Sequence, residues 1–234
     1  MSTIPIIIAL ISVLILSYTI DTVAGANYGV FTSESSPYET PYPEWIGKWW
    51  TWWLGIPNDL HPLNNYSDSK RCSVMQNGSA WFLPDILPGK GKIEYTCNVP
   101  SSKAVLLPLT TTMCDRGTEG PVSDADLTQC ADNILTPISN IDITVDGKKV
   151  DVSKSFAKTN FFNVTYPQDP VAFTGKIQPG TYRGTATGYF LFLHDLPKGE
   201  HNIGMKVVDL LKGNEGPPPK FDPPREATFK INVQ

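Results

Sequence analysis

Apolar and polar residues alternate without a break from Lys92 to Val99. Ile93, Tyr95, Cys97 and Val99 fall on one side, Lys92, Glu94, Thr96 and Asn98 on the other. A period of two marks a half-buried antiparallel strand. The runs Ser79–Leu83 and Ala104–Leu109 read as strands on either side of it, divided off by Pro84, Pro88-Gly89 and Pro100-Ser101-Ser102. Further on, Ile141–Val145 and Lys148–Val152 predict a hairpin, because Asp146-Gly147 supplies the positive φ angles of a two-residue turn. Phe161–Tyr166 predicts another strand. Gly184–Leu193 and His201–Val208, joined through the turn Leu196-Pro197-Lys198-Gly199, predict a second hairpin, and Ala227–Val233 follows the Pro/Gly loop 213–224 as the last strand. Eight or nine short strands, with no helix alternating in the βαβ manner, imply a mainly β protein, an antiparallel β-sandwich of jelly-roll or immunoglobulin-like type.

Two segments break that period. From Glu44 to Gly55 the chain carries five tryptophans; Pro43 suits a first helical position, Glu44 complements the positive helix end, and Gly55 with Pro57 supplies a stop. At 100° per residue Trp45, Trp49, Trp52 and Trp53 share one face, flanked by Ile46 and Trp50. Two readings follow. The helix clamps onto a sheet, each indole burying up to ~200 Å², or it forms an exposed platform that stacks on sugar rings or lies at a bilayer surface. In the second case Trp49, Trp50, Trp52 and Trp53, with Tyr42 beside them, are the binding residues. The other departure is residues 114–135, a polar excursion holding Asp115, Glu119, Asp124 and Asp126. Ser123 can cap a short helix through Ala131, with Asp124 and Asp126 in its first turn. Residues 27–43, rich in Ser, Thr, Glu, Pro and Tyr and without periodicity, read as a flexible linker to a domain spanning 44–234.

The apolar run Ile4–Ile20 precedes all of this and relaxes into Ala24-Gly25-Ala26. A helix of about 17 residues reaches roughly 25 Å, short of the ~30 Å hydrocarbon core. With its small-x-small ending, 1–26 reads as a signal peptide cleaved after Ala26. No Lys or Arg precedes the run, so an uncleaved anchor tethering the chain to a membrane through residues 4–20 is the alternative. Either way the domain is secreted or sits on the extracellular face of the cell membrane.

Composition then narrows the chemistry. The 234-residue chain carries a formal charge of −4, too mild to imply a charged partner, and no basic patch interleaved with aromatics that would suit nucleic acid. Four cysteines behind an export signal, Cys72, Cys97, Cys114 and Cys130, read as two disulfides. Three pairings are possible; the sequential one closes loops of about 26 and 17 residues, each worth roughly 3 kcal/mol. A Cys₄ zinc site would need CxxC knuckles, which are missing. Three N-x-S/T sequons, at Asn65, Asn77 and Asn163, are candidates for N-glycosylation.

The tryptophan cluster, Asn58 with Pro62, Cys72-x3-Gln76-x-Gly78-x2-Trp81-Phe82-Leu83, Thr96-Cys97-x-Val99-Pro100-x2-Lys103 and Pro108 together resemble a family of uncharacterised exported proteins. The closing Gly188-Tyr189-Phe190 and Leu196-Pro197-x-Gly199-x-His201-x-Ile203 are similar to that family's end, so the resemblance runs from about Trp45 to the C-terminus. It implies export but no activity, and it transfers no catalytic residue. Pro84 departs from the small residue expected after Trp-Phe-Leu.

No G-x-S-x-G, H-E-x-x-H, P-loop or G-x-G-x-x-G is present. Closing the second hairpin by its four-residue turn would oppose His194 and His201, two imidazoles that could bind Zn²⁺ or Cu²⁺. The acids of the excursion could gather around Ca²⁺, although they miss the EF-hand spacing. The reading that fits most of the sequence is a non-catalytic, disulfide-bonded surface module that needs no cofactor and binds a glycan or a surface protein. A structural envelope-associated protein and a secreted metal-dependent enzyme are the alternatives.

Overall fold

The computed structural model describes residues 28–86, 92–134, 140–171, 177–208 and 225–234. The segment 1–26 read as a signal peptide, the turn expected at Pro88-Gly89 and the loop expected at 213–224 lie outside the described residues.

Two sheets face one another. The first is built on β9 (Gly180–His194), which pairs antiparallel along its length with β4 (Ala104–Asp115), from Val105 opposite Leu193 to Asp115 opposite Gly184. A bulge between Pro108 and Thr110 interrupts the ladder, where proline has no N–H to give. The other edge of β9 is shared by three short strands. β1 (Gly29–Val30) takes its C-terminal end, β7 (Phe156–Lys158) its middle and β8 (Phe162–Tyr166) its start. β2 (Ala80–Phe82) lies parallel to β4 on the far side. The second sheet runs β3 (Lys92–Val99), β11 (Arg225–Val233), β10 (Gly199–Val208), β5 (Asn140–Val145), β6 (Lys148–Lys149), with β3 parallel to β11. The sandwich is therefore mixed. Alternation in β3 fixes which face is buried, but says nothing about the direction of a partner more than a hundred residues away.

Between the sheets lie Ile93, Tyr95 and Val99 of β3, Phe229 and Ile231 of β11, Ile203, Met205 and Val207 of β10, and Val105, Leu107, Leu191 and Leu193 of the first sheet. Tyr95 and Phe229, register partners, stack at 5.0 Å. The first sheet is also covered on its other face: Phe82, Leu106, Phe190 and Phe192 meet the helix α1 (Tyr42–Gly55). The molecule thus has three layers, and the middle one is buried on both sides. That explains the unbroken apolar runs at Ala104–Leu109 and Tyr189–Leu193, where a one-sided strand would alternate.

α1 starts at Pro41, has Pro43 and Glu44 in its first turn, and ends where Ile56 turns extended before Pro57, as a pre-proline residue must. Helix α2 (Asp124–Ile134) opens with reciprocal bonds between Ser123 and Asp126: the Asp126 amide donates to Ser123 Oγ at 3.2 Å and the Ser123 amide to Asp126 Oδ2 at 3.0 Å. Disulfide Cys114–Cys130 ties α2 to the end of β4, and Cys72–Cys97 ties the segment before β2 to β3. The pairing is sequential.

Two expectations need correction. Residues 28–43 are not a free linker. β1 joins the sheet, the Phe31 amide donates to the Phe192 carbonyl, and the Ser33 amide to the Lys154 carbonyl. The Ser/Pro content masked the aromatics Phe31 and Tyr42, which supply enough apolar surface to dock the segment. Nor do β9 and β10 form a hairpin, because Asp195–Lys198 carry the chain from one sheet to the other. Leu196 is buried in the inter-sheet core, and Asp195 takes a left-handed φ of 56°. A Pro/Gly turn signal does not distinguish a hairpin from such an arch. The Asp146-Gly147 turn, by contrast, has φ of 51° and 75° and closes β5 on β6 as expected.

Candidate functional site

The tryptophans of α1 are interior. Trp45, Trp49, Trp50, Trp52 and Trp53 expose 5, 0, 8, 6 and 1 % of their surface. Their indole N–H groups reach outwards from the helix to four different segments: Trp45 to the Pro37 carbonyl, Trp49 to Leu83, Trp52 to Val74, and Trp50 to Thr111 Oγ1, at 2.9 to 3.2 Å. Tyr42 is fully buried and its hydroxyl donates to the Phe190 carbonyl at 2.6 Å, with burial pushing its pKa well up. Trp49, Trp50, Trp52, Trp53 and Tyr42 therefore do not form an open platform. A face with aromatics on both flanks has too little polar surface to leave its stripe in water, so the sheet covers it.

His61 closes the helix. Its Nδ1 accepts from the Leu63 amide, which leaves Nε2–H to donate to the Trp53 carbonyl at 3.1 Å, one of the carbonyls that the helix itself cannot satisfy. The ring is fully buried edge-on to Trp53, at 4.2 Å. Burial holds its pKa down to about 4, against the pull of the Trp53 carbonyl and with help from Arg71, whose guanidinium bonds the Asp59 and His61 carbonyls.

One edge of α1 does reach solvent, and there a pocket of about 410 Å³ opens. Trp45, Lys48, Thr51 and Trp52 form the helix wall, their spacing placing them on one side. Met75, Asn77, Gly78 and Phe82 of β2 complete the lining. Lys48 Nζ sits 4.4 Å from the centre of the Trp45 ring and 3.4 Å from Thr40 Oγ1. Beside it Tyr38, 46 % exposed, stands edge-on to Trp45, and Met75 is 53 % exposed. Tyr38, Glu39 and Met75 hold left-handed φ of 53°, 61° and 53°, three of the five such non-glycine residues among those described. Each costs free energy that the surrounding structure must offset, and such positions gather at binding sites. The lining holds aromatic rings, a thioether, one ammonium, a hydroxyl and an amide, and none of its eight residues carries an imidazole, carboxylate or thiol.

The metal sites read from the sequence do not assemble. His194 lies in the first sheet, stacked on Phe31 at 4.2 Å with Nδ1 2.7 Å from Asp195. His201 lies in the second sheet and is buried, with Nδ1 2.7 Å from Asp146 Oδ2 and Nε2 2.8 Å from the Pro197 carbonyl, so both ring nitrogens are engaged. The acids of the excursion go separate ways. Asp115 is fully buried and accepts from the Gly117 and Thr118 amides and the Tyr166 hydroxyl. Asp124 pairs with Arg183 and Arg116, the Arg183 bonds holding its carboxyl below the usual carboxylate range. Asp126 caps α2. Among the described residues a grouping of three metal-type donors occurs at Cys114, Glu119 and Cys130, and its two sulfurs are joined to each other.

Of the eight pocket residues the sequence singled out two, Trp52 as part of an aromatic platform and Asn77 as a sequon. Nothing in hydropathy or spacing marks Met75 or Tyr38, whose left-handed backbone carries no glycine signature.

The residues behind the family resemblance stand at framework positions. Gln76 acts as a substitute strand partner, its amide accepting from the Phe82 N–H and donating to the Phe82 and Cys72 carbonyls. A side chain at Gly188 would meet the Thr110 carbonyl at 2.6 Å. No helix among the described residues is long and apolar enough to cross a membrane. No protein-family model matches the chain, and neither does a curated protein. A solved structure entitled "Solution Structure of Amebosin" is returned at 14 % identity, covering 61 % of this chain and 96 % of that one, with a TM-score of 0.18, too low to carry an argument.

Proposed function

We infer that the protein is an exported, non-catalytic binding module, that its ligand is a glycan, and that the ligand sits in the α1 pocket. The two disulfides and the β-rich fold suit an oxidising compartment outside the cytosol, and the leader 1–26 would take the chain there. The observation that carries the reading is the pocket itself: the solvent-reaching edges of Trp45 and Trp52 together with strained, exposed Met75, lined as well by Lys48, Thr51 and Asn77. A pyranose matches that division, offering a C–H face to the rings and hydroxyls to the ammonium, hydroxyl and amide. At about 410 Å³ the space suits one or two sugar rings rather than a protein surface.

Lys48→Ala and Met75→Ala alter exposed side chains and leave the clamp intact. Calorimetric titration of the domain with oligosaccharides picked from a glycan array should show binding weakened at least about tenfold by either, with unchanged melting temperature. Unaltered affinity in both variants moves the site elsewhere.

Full burial of the tryptophans also suits a structural envelope-associated protein whose outer faces pack against neighbours. Sedimentation showing a monomer at high concentration, without assembly at a surface, counts against that role.

A further inference from the structure

Three sequons were read from the sequence, and all three asparagines are exposed. They are not equivalent. The Asn65 side chain accepts from Ser67 Oγ at 3.0 Å, and Asn163 lies on β8 opposite Arg183; neither contributes to the pocket beside α1. Asn77 does, lining it together with Lys48, Trp45 and Trp52. We propose that Asn77 carries an N-linked glycan whose first N-acetylglucosamine occupies this pocket, so that use of the sequon decides whether the site is open to an external sugar.

The covalent step is the ordinary one for a lumenal chain. The Asn77 side-chain nitrogen attacks C1 of the reducing-end N-acetylglucosamine of a polyprenyl-diphosphate oligosaccharide. A C1–N bond forms, the C1–O bond to the diphosphate breaks, the diphosphate leaves with the electron pair, and the nitrogen gives up one proton. Nothing in the fold opposes the product. Gly78 turns with φ 71° and has open space where a side chain would stand, so the attachment point hangs at the rim. The Gly78 carbonyl is held by Lys103, which fixes the rim against the start of β4.

The tether sets the balance. A sugar joined to the pocket wall is present at an effective concentration in the millimolar range, and single sugars bind protein pockets weakly, so the attached ring outcompetes a free one. Its C–H groups would meet Met75 and the accessible edges of Trp45 and Trp52, and its N-acetyl and hydroxyl groups would find Lys48 and Thr51 in the same lining. The proposal rests on reading the pocket as a sugar site and names the sugar that fills it.

The test uses the full chain secreted from a glycosylating eukaryotic host, with Ser79→Ala as the comparison. That change removes the sequon without touching the pocket lining. Glycopeptide mass spectrometry should find Asn77 modified. Titration with free N,N′-diacetylchitobiose should show binding to Ser79→Ala at least about tenfold tighter than to the glycosylated protein. An endoglycosidase that leaves the first sugar should keep the glycosylated protein closed, and an amidase that removes the whole glycan should open it. An unmodified Asn77, or equal affinity in Ser79→Ala and glycosylated protein, overturns the proposal and leaves the pocket reading standing. Failure of Ser79→Ala to bind any free sugar refutes the pocket reading, and this inference with it.

Discussion

Acidification should loosen the α1 layer through a single side chain, His61. In the fold its imidazole is neutral, wedged between the Trp53 ring and the Trp53 carbonyl, with a pKa of about 4 against 6.5 for a free histidine. The folded state therefore resists a proton that the unfolded chain accepts. Where the unfolded state binds more protons, stability rises with pH. The contribution is complete above pH 6.5 and is lost as pH falls towards 4. Between pH 7 and pH 5 the unfolded chain takes up most of one proton and the fold almost none, which costs about 2 kcal/mol. The neighbouring charge, Arg71, adds repulsion in the same direction. Carboxylates with lowered pKa, such as Asp124 and Asp126, act below this window. Urea unfolding at pH 7 and pH 5 should show the difference in wild type and lose most of it in His61→Gln, whose amide can still donate to the Trp53 carbonyl but never charges. An equal pH dependence in the two proteins, or a His61 resonance titrating near 6.5, refutes the reasoning.

Other consequences are as direct. Trp49→Ala should destabilise by about 3–5 kcal/mol, because a fully buried indole leaves a cavity between helix and sheet and strands the Leu83 carbonyl; Trp49→Phe, which keeps the ring, should cost clearly less in the same denaturation assay. Replacing both Cys114 and Cys130 by serine should lower stability by about 3 kcal/mol and speed hydrogen exchange in α2, whose packing otherwise rests on Leu127 and Ala131. Gly188→Ala should cost about 1–3 kcal/mol in thermal melts, since its methyl would meet the Thr110 carbonyl beside the bulge.

What the sequence reveals depends on how many sides of an element are buried. β3 was legible to the residue because one face is wet and one dry. β4 was foreshortened: its apolar run stops at Leu109, but the ladder continues through Thr110–Asp115, where pairing with β9 holds polar residues in a strand. Both helices were placed, because Pro43, Ser123 and Pro57 mark ends by local stereochemistry. The partners of His194 and His201 were not legible. A Pro/Gly turn fixes the chain's reversal but not whether it returns to the same sheet. The pocket was hidden for a related reason. It is made by the residual edge of a buried helix and by a left-handed residue, Met75, that no composition rule marks.

If α1 is an inner layer that meets ligand only along its Trp45–Trp52 edge, its indoles must divide into two groups. Indole ¹⁵N–¹H spectra of the protein lacking the Asn77 glycan, recorded in D₂O and then through a titration with chitobiose, test it most directly. Slow exchange of the Trp49 and Trp50 indoles, with sugar-induced shifts confined to Trp45 and Trp52, is the predicted result. Rapid exchange at Trp49 and Trp50, or shifts centred on Trp49, Trp50 and Trp53, would contradict it.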